Sequence, residues 1–365
     1  MKDQKEKFAL NAICPYFTMF PITFPYSILK NYYLPSQWVL DPFCGRGTTN
    51  YAARCLGIPS IGIDSSPVAV ALSRAKLANT TIGEIVESAK NILSSHEKSS
   101  NIPSGEFWER AYHKQVLRVL CRFRDSLKNN CSTDSRIALR AIIMGALHGP
   151  IGKICQSYFS NQCPRTYAPK PGYAIRFWRK NKLPPPKVDV LNIIKIRACR
   201  YFEDEKEARG QIISGNSCNI ATYAQIKQRF SCIITSPPYF GMSTYLPDQW
   251  LRLWFLGGKS EVDYSENNQI CHSKVDSYIH DLNSVWKQAA KKCNPSASLV
   301  VRIGSINSRK VDTKTIIRES LKDSGWKLAT IKTADSANNG KRQALHFLGK
   351  TKRAPEEFDF WARLN

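Results

Sequence analysis

The period of the apolar positions changes several times along the chain. Trp38-Val39-Leu40 is a short apolar run that stops at Asp41-Pro42 and enters Gly45-Arg46-Gly47, after which Thr48 to Leu56 suits a helix. The pattern predicts strand, glycine turn, helix. Ser60 to Ile63 repeats it as a strand with Asp64 at its carboxyl end, and Ser66-Pro67 opens a helix reaching about Leu77. Two such units in succession imply a parallel, doubly wound sheet.

From about Ala78 to Gly210 strand alternation gives way to helical periodicity, clearest at Ile82 to Leu93, Phe107 to Leu127 and Ile137 to Leu147. That length exceeds a connecting loop. Within it, Cys163 to Pro186 carries Pro164, Pro169, Pro171, Gly172 and Pro184-Pro185-Pro186, which predicts irregular, surface-exposed chain. The sheet resumes with Gln211 to Ser214, ending at Gly215-Asn216-Ser217. A helix at Ala221 to Phe230 follows, then a strand at Ser231 to Thr235 that runs into Ser236-Pro237-Pro238-Tyr239. A helix near Ser277 to Lys292, a strand at Ala297 to Ile303 and a helix at Thr313 to Asp323 come next. Trp326 to Thr333 and Ala344 to Lys350 read as a closing hairpin, with Asp335 to Arg342 as its polar tip. Tyr245 to Trp254 reads as aromatic helix core. The expected architecture is α/β: a mostly parallel twisted sheet with an antiparallel edge hairpin, built from residues 1–79 and 209–365, plus a mainly helical insert at 80–208.

Charge adds a partner to this picture. The 53 Lys and Arg against 29 Asp and Glu leave a formal charge of +24 on 365 residues, which suits a polyanion. Between Ile151 and Arg200 eleven basic residues face a single acid, Asp189, and alternate with aromatic rings. Tyr158, Arg165, Lys170, Arg176, Trp178, Arg179, Lys180 and Lys182 are therefore candidate nucleic-acid contacts. No apolar run approaches about 18 residues, and Met1 to Lys7 is charged with no signal core behind it, so no membrane association and a cytoplasmic location are expected. The twelve cysteines include no Cys-x-x-Cys pair and the six histidines show no ligand spacing, so neither a metal nor a disulfide framework is expected. A Walker-type phosphate loop and a Pro-Cys dipeptide, which cytosine-C5 chemistry would require, are both absent from the sequence.

Ligands of open α/β sheets bind beyond the carboxyl ends of the strands, where Asp41, Gly45, Gly47, Asp64, Asn216 and Ser236 to Tyr239 should converge. Glycines at 45 and 47 let the backbone pass close to a nucleoside, and a carboxylate closing the second strand can accept ribose hydroxyls. No third glycine follows, and Asp41 just before the turn would repel a pyrophosphate while attracting a cationic amino acid group. Charge thus favours S-adenosylmethionine over a dinucleotide.

Asp41-Pro42-Phe43-Cys44-Gly45-Arg46-Gly47-Thr48-Thr49, together with Thr235-Ser236-Pro237-Pro238-Tyr239, resembles the amino-methyltransferase family of DNA modification enzymes. The resemblance implies a Rossmann-like S-adenosylmethionine methyltransferase fold, double-stranded DNA with an everted base as substrate, and restriction or defence proteins as partners. It also implies a cofactor site of Phe24, Pro25, Asp41, Phe43, Cys44, Gly45, Gly47, Thr48, Thr49, Asp64, Asn216 and Ser217. Phe24 and Pro25 end the aromatic segment Tyr16 to Pro25, and Asn216 stands where the family usually has Asp. The insert has no counterpart in the motifs.

An exocyclic amine of cytosine or adenine is a poor nucleophile because its lone pair is delocalised into the ring. A side-chain oxygen and a backbone carbonyl that accept its two hydrogens would direct that pair at a methyl sulfonium. Ser236 and Pro237 fit those two roles. Pro238 stiffens the loop and Tyr239 can stack on an everted base. Serine in the first position resembles the cytosine-N4 enzymes, whereas Asp or Asn is more usual in adenine-N6 enzymes. Adenine-N6 methylation, RNA amine methylation and an inactive nucleic-acid-binding methyltransferase-like module remain open alternatives.

Overall fold

A computed structural model of the chain describes residues 8–15, 20–95, 99, 101–149, 157–164, 169–202, 207–240, 249–262, 274–304, 312–334 and 357–365. In order, the elements are α1 (Thr23–Tyr32), β1 (Trp38–Asp41), α2 (Thr48–Cys55), β2 (Ser60–Asp64), α3 (Pro67–Lys76), α4 (Ile82–Ser94), α5 (Glu106–Ala111), α6 (Lys114–Asn129), α7 (Asp134–Ala146), α8 (Pro171–Lys180) and α9 (Val190–Tyr201). They continue with β3 (Gly210–Ser214), α10 (Ile220–Ala224), β4 (Phe230–Thr235), α11 (Trp250–Phe255), α12 (Val275–Ala290), β5 (Cys293–Gly304), α13 (Thr313–Leu321), β6 (Trp326–Thr333) and β7 (Glu357–Leu364). The chain divides into two compact units, one of Met1–Pro15, Arg74–Glu205 and Thr244–Asn267, the other of Tyr16–Ser73, Lys206–Ser243 and Asn268–Asn365.

Among the described residues the second unit holds a sheet of seven strands in the order β3-β2-β1-β4-β5-β7-β6. β1 pairs in parallel with both β2 and β4, and β7 runs antiparallel to its neighbours β5 and β6. Strand order therefore reverses between β1 and β4, which opens a crevice at their carboxyl ends. Leu40, Ile61, Ile63, Ile233, Leu299 and Val301 are buried on the sheet and pack with Leu282, Val285 and Trp286 of α12 and Ile317 of α13. Each such side chain contributes about 1.5–3 kcal/mol. The Trp286 indole nitrogen satisfies itself by donating to Ser320 Oγ at 3.0 Å.

The described residues add a strand that the sequence pattern did not predict: Glu357–Leu364 pairs with β6 and inserts between β5 and β6. Residues 335–350 lie outside the described residues. The alternating pattern Phe358, Phe360, Ala362, all buried, marks the strand, and its proximity to the chain end hides it.

In the helical unit α4, α7 and α9 pack on one another, and α6 packs on α4. Local chemistry fixes the starts. Thr81 accepts from Glu84 N while the Glu84 carboxylate accepts from Thr81 N, a capping box at α4. Thr133 and Asp189 cap α7 and α9 through Arg136 N and Asn192 N. The single helix expected over Phe107 to Leu127 is two, α5 and α6, because His113 leaves the helical region and caps α6 by accepting from Gln115 N.

The segment expected to be irregular and exposed contains a helix. Pro171 sits in the first turn of α8, where a missing amide costs nothing, and Trp178 on its inner face is fully buried. Trp178 belongs to a ring cluster with Phe107 at 5.7 Å, and Phe107 in turn meets Trp250 of α11 at 5.0 Å. The helix closes with Leu183 N bonded to Trp178 O at 3.0 Å and Lys182 N to Arg179 O at 3.1 Å, which places Lys182 at φ 51°. Glycine is the usual residue there.

Two outcomes follow from this packing. Trp178→Ala is expected to lower unfolding free energy by about 3–5 kcal/mol in a denaturant titration, through the cavity it leaves among the rings. Lys182→Gly is expected to raise it by about 0.5–1 kcal/mol, by removing a side chain from a left-handed backbone position.

Candidate functional site

The site is assembled from strand ends in the sheet unit. Asp41 closes β1 and is 1% exposed. Its Oδ1 accepts from the Thr235 hydroxyl of β4 at 2.6 Å and from Phe43 N at 3.1 Å. The other oxygen, Oδ2, is buried with no hydrogen-bond partner among the described residues. Burial lifts the Asp41 carboxyl from its usual 3.8 to about 6, against the Thr235 hydroxyl, which holds it down. The Thr235 bond also places the Ser236 to Tyr239 loop beside the Asp41 to Gly47 loop, as the parallel pairing of β1 with β4 requires.

Gly45 and Gly47 turn the chain at φ 52° and 73°, conformations that favour glycine. A side chain at Gly47 would strike Ser73 at 2.9 Å, whereas at Gly45 it would enter open space. Ser73 also donates to Gly45 O at 2.7 Å, fixing the turn from α3. Asp64 ends β2, accepting from Gly45 N at 2.9 Å and Ser66 N at 2.8 Å. Burial pushes its carboxyl to about 6 while the Ser66 and Gly45 amides pull it down. It keeps some solvent contact at the rim, so its charge is better hydrated than that of Asp41.

The remaining cofactor candidates divide by exposure. Phe43, Gly45 and Asp64 are half-buried and Asn216 is exposed. Cys44, Gly47, Thr48 and Thr49 are buried, and Thr49 donates to Ile234 O at 3.3 Å, tying α2 to β4. Ser217 is buried and donates to Pro42 O, and Asn216 Oδ1 accepts from Cys218 N at 2.9 Å. Phe24 and Pro25 lie in the first turn of α1, the Phe24 ring 3.7 Å under the Arg302 guanidinium. Residues 16–19 lie outside the described residues.

In the catalytic loop Ser236 is half-buried and Pro237 buried. Among the described residues no group bonds to the Ser236 hydroxyl or the Pro237 carbonyl, whereas the Pro238 carbonyl accepts from the Tyr278 hydroxyl. The Tyr239 hydroxyl bonds to Glu357 Oε1 at 3.1 Å, and its ring rests on the apolar cluster of the sheet. Tyr278, Glu357 and Ser73 escaped the sequence reading because each acts through contacts distant in sequence.

The basic candidates belong to the helical unit. Lys170, Arg176, Lys180 and Lys182 are exposed. Arg179 is joined to Glu106 through Nε at 2.6 Å and Nη2 at 2.5 Å, which anchors α8 to α5. Trp178 is a correction: with none of its surface exposed and its indole nitrogen given to Gln162 O at 3.0 Å, it supports the helix and cannot stack on a base. The Tyr158 ring is half-buried under Arg197, 5.0 Å away. Arg165 lies outside the described residues. Among the described residues no helix is long and apolar enough to cross a membrane, and no cluster of three or more His, Cys, Asp or Glu could hold a metal.

Residues 2–75 match a family model described as DNA methylase. Over 45 residues the chain is 44% identical to the Type II methyltransferase M.MthZI of Methanothermobacter thermautotrophicus, a match that spans 12% of this chain and 13% of that protein. Similar solved structures include TrmN from Thermus thermophilus, with a TM-score of 0.36, 9% identity and coverage of 95% of this chain and 49% of the other. An rRNA methylase from Streptococcus thermophilus gives a TM-score of 0.37, 7% identity and coverage of 96% and 99%. Likeness at that level decides nothing about this chain.

The Asp41 carboxyl sets a pH dependence. A folded value of about 6 above an ordinary 3.8 means the folded chain binds the proton more tightly, so stability present near pH 4 is lost as pH rises through about 6. Asp41→Asn is expected to flatten that fall and to be the more stable form at pH 7, the difference vanishing toward pH 4. Denaturant midpoints measured from pH 4 to 7.5 check it.

Proposed function

We propose that the chain is an S-adenosylmethionine-dependent methyltransferase acting on an exocyclic amine of a DNA base, N4 of cytosine, with N6 of adenine as the alternative target. The supporting observation is the Asp41 carboxylate, unpartnered at Oδ2 and joined through Oδ1 to Thr235 at the head of the Ser-Pro-Pro-Tyr loop. An acceptor for the cofactor's ammonium group thereby lies one hydrogen bond from the loop that would hold the target amine. The match of residues 2–75 to the DNA methylase family covers the first of these two loops.

Asp41 would pair with the ammonium, Gly45 would let the nucleoside approach the backbone, and Asp64, half-buried at the rim, would accept ribose hydroxyls. When bound, S-adenosylmethionine supplies a methyl group on a sulfonium. The Ser236 hydroxyl and Pro237 carbonyl would accept the amine's two hydrogens and turn its lone pair toward the donated methyl group, and one amine proton would pass to solvent. The two consecutive prolines limit the loop's freedom, so this alignment is prepared before the base arrives. Tyr239 offers a ring face to the base, and the exposed cations of the helical unit engage phosphates.

Duplex DNA incubated with protein and methyl-labelled S-adenosylmethionine, digested to nucleosides and resolved by mass spectrometry, is expected to contain 4-methylcytosine. Ser236→Ala is expected to lower the turnover by about 10²–10³-fold while calorimetric affinity for the cofactor stays unchanged. 6-Methyladenine in the digest would reassign the base. Label confined to RNA would reassign the nucleic acid, and a chain that binds no S-adenosylmethionine would refute the enzyme.

A further inference from the structure

Helix α8 has two unlike faces. Ala174 and Trp178 are buried, while Tyr173, Arg176, Phe177 and Lys180, spaced i, i+3, i+4 and i+7, run together along another side. Tyr173 is 46% exposed. Its ring lies nearly parallel to that of half-buried Phe177, 19° between planes and 6.4 Å between centroids. Lys170 stands at the amino end of the stripe and Lys182 just past its carboxyl end.

Among the described residues nothing neutralises this stripe. Among the described residues Lys170, Arg176, Lys180 and Lys182 form no ion pair. The sequence offers no acid between Lys170 and Val188, and the next, Asp189, is engaged in capping α9. Arg179 of α8, by contrast, is paired with Glu106. Lys182, moreover, occupies a left-handed position that glycine would fill without strain, so a cation is kept there against backbone preference.

An acidic protein surface would match the cations but not two parallel ring faces. Nucleic acid matches both, with phosphates for the cations and base faces for the rings. In an intact duplex each base face is covered by its neighbours, so only a base that has left the stack can lie on the rings.

We propose that Tyr173 and Phe177, framed by Lys170, Arg176, Lys180 and Lys182, form a stacking platform for an unstacked nucleobase and its flanking phosphates. The assignment rests on the nucleic-acid substrate of the proposed function and is independent of the methyl-transfer step. It gives the insert a preference for distorted or single-stranded sites, beyond plain attraction to phosphate.

Fluorescence anisotropy of the full chain with a labelled single-stranded oligonucleotide, a duplex carrying one unpaired base and a fully paired duplex tests it. Tyr173→Ala with Phe177→Ala is expected to weaken the first two complexes by about ten- to a hundredfold and the paired duplex by less than about twofold, with unchanged salt slopes. Tyr173→Phe should keep wild-type affinity. Arg176→Ala with Lys180→Ala should weaken all three and reduce the single-strand salt slope by about 1.4. Equal loss on all three ligands in the ring variant, no loss on any, or a wild type that binds none of them overturns the platform. Calorimetry with S-adenosylmethionine and label transfer to DNA on the same samples keep the two readings apart. Ring-dependent binding without cofactor binding would sink the enzyme alone, whereas methyl transfer with ring-independent binding would sink the platform alone.

Discussion

A carboxylate carried into the protein interior must be compensated, and Asp41 is compensated unequally on its two oxygens. Oδ1 takes the Thr235 hydroxyl and the Phe43 amide, while Oδ2 is left without a partner. Burial raises the proton affinity of the group, and the buried charge is one that a bound cation would relieve. Much of the surrounding structure serves to keep that oxygen where it is. Two glycines at positive φ turn the chain after Asp41, Ser73 clamps the turn, and parallel pairing of β1 with β4 delivers the Thr235 hydroxyl to the neighbouring oxygen, Oδ1. The geometry of the edge thus follows from the sheet, and the sheet from apolar strands packed on α12 and α13.

The same edge shows how neighbouring residues of one motif part company. Thr49 and Ser217 are spent inside the protein, on Ile234 O and Pro42 O, and join three loops into one rim. Phe43, Gly45, Asp64 and Asn216 keep surface at that rim. A motif read as a string treats these as equals. Hydrogen bonding separates the residues that build the crevice from those left to face whatever enters it.

Legibility in the sequence tracked how local the cause was. β1, β2, α2 and α3 follow from apolar runs, glycines and a proline within a few residues, so their places and the strand-end carboxylates could be read directly. Proline spacing misled at Cys163 to Pro186, because Pro171 begins a helix as readily as it breaks one, and what decides is whether Trp178 finds a ring cluster to enter. That cluster includes Trp250, distant in sequence. The strand at Glu357–Leu364 carries a short alternating pattern, but its place in the sheet is set by distant pairing with both β5 and β6. Glu357 at its start, which receives the Tyr239 hydroxyl, was beyond reach as long as the strand itself was.

Within α8 burial and exposure answer different questions about one composition. Counting cations and rings between Ile151 and Arg200 suggests nucleic acid but gives every residue the same weight. Folding removes Trp178 to the interior and commits Arg179 to Glu106, and in doing so orients what is left. A helix fixed on one side by a buried indole and an ion pair has little freedom to rotate, so Tyr173, Arg176, Phe177 and Lys180 face solvent as a set. Ordering them in advance lowers the entropy that a ligand must otherwise supply on binding. Structural residues of the helix therefore bear on recognition without touching a ligand, by holding rings and charges in one register.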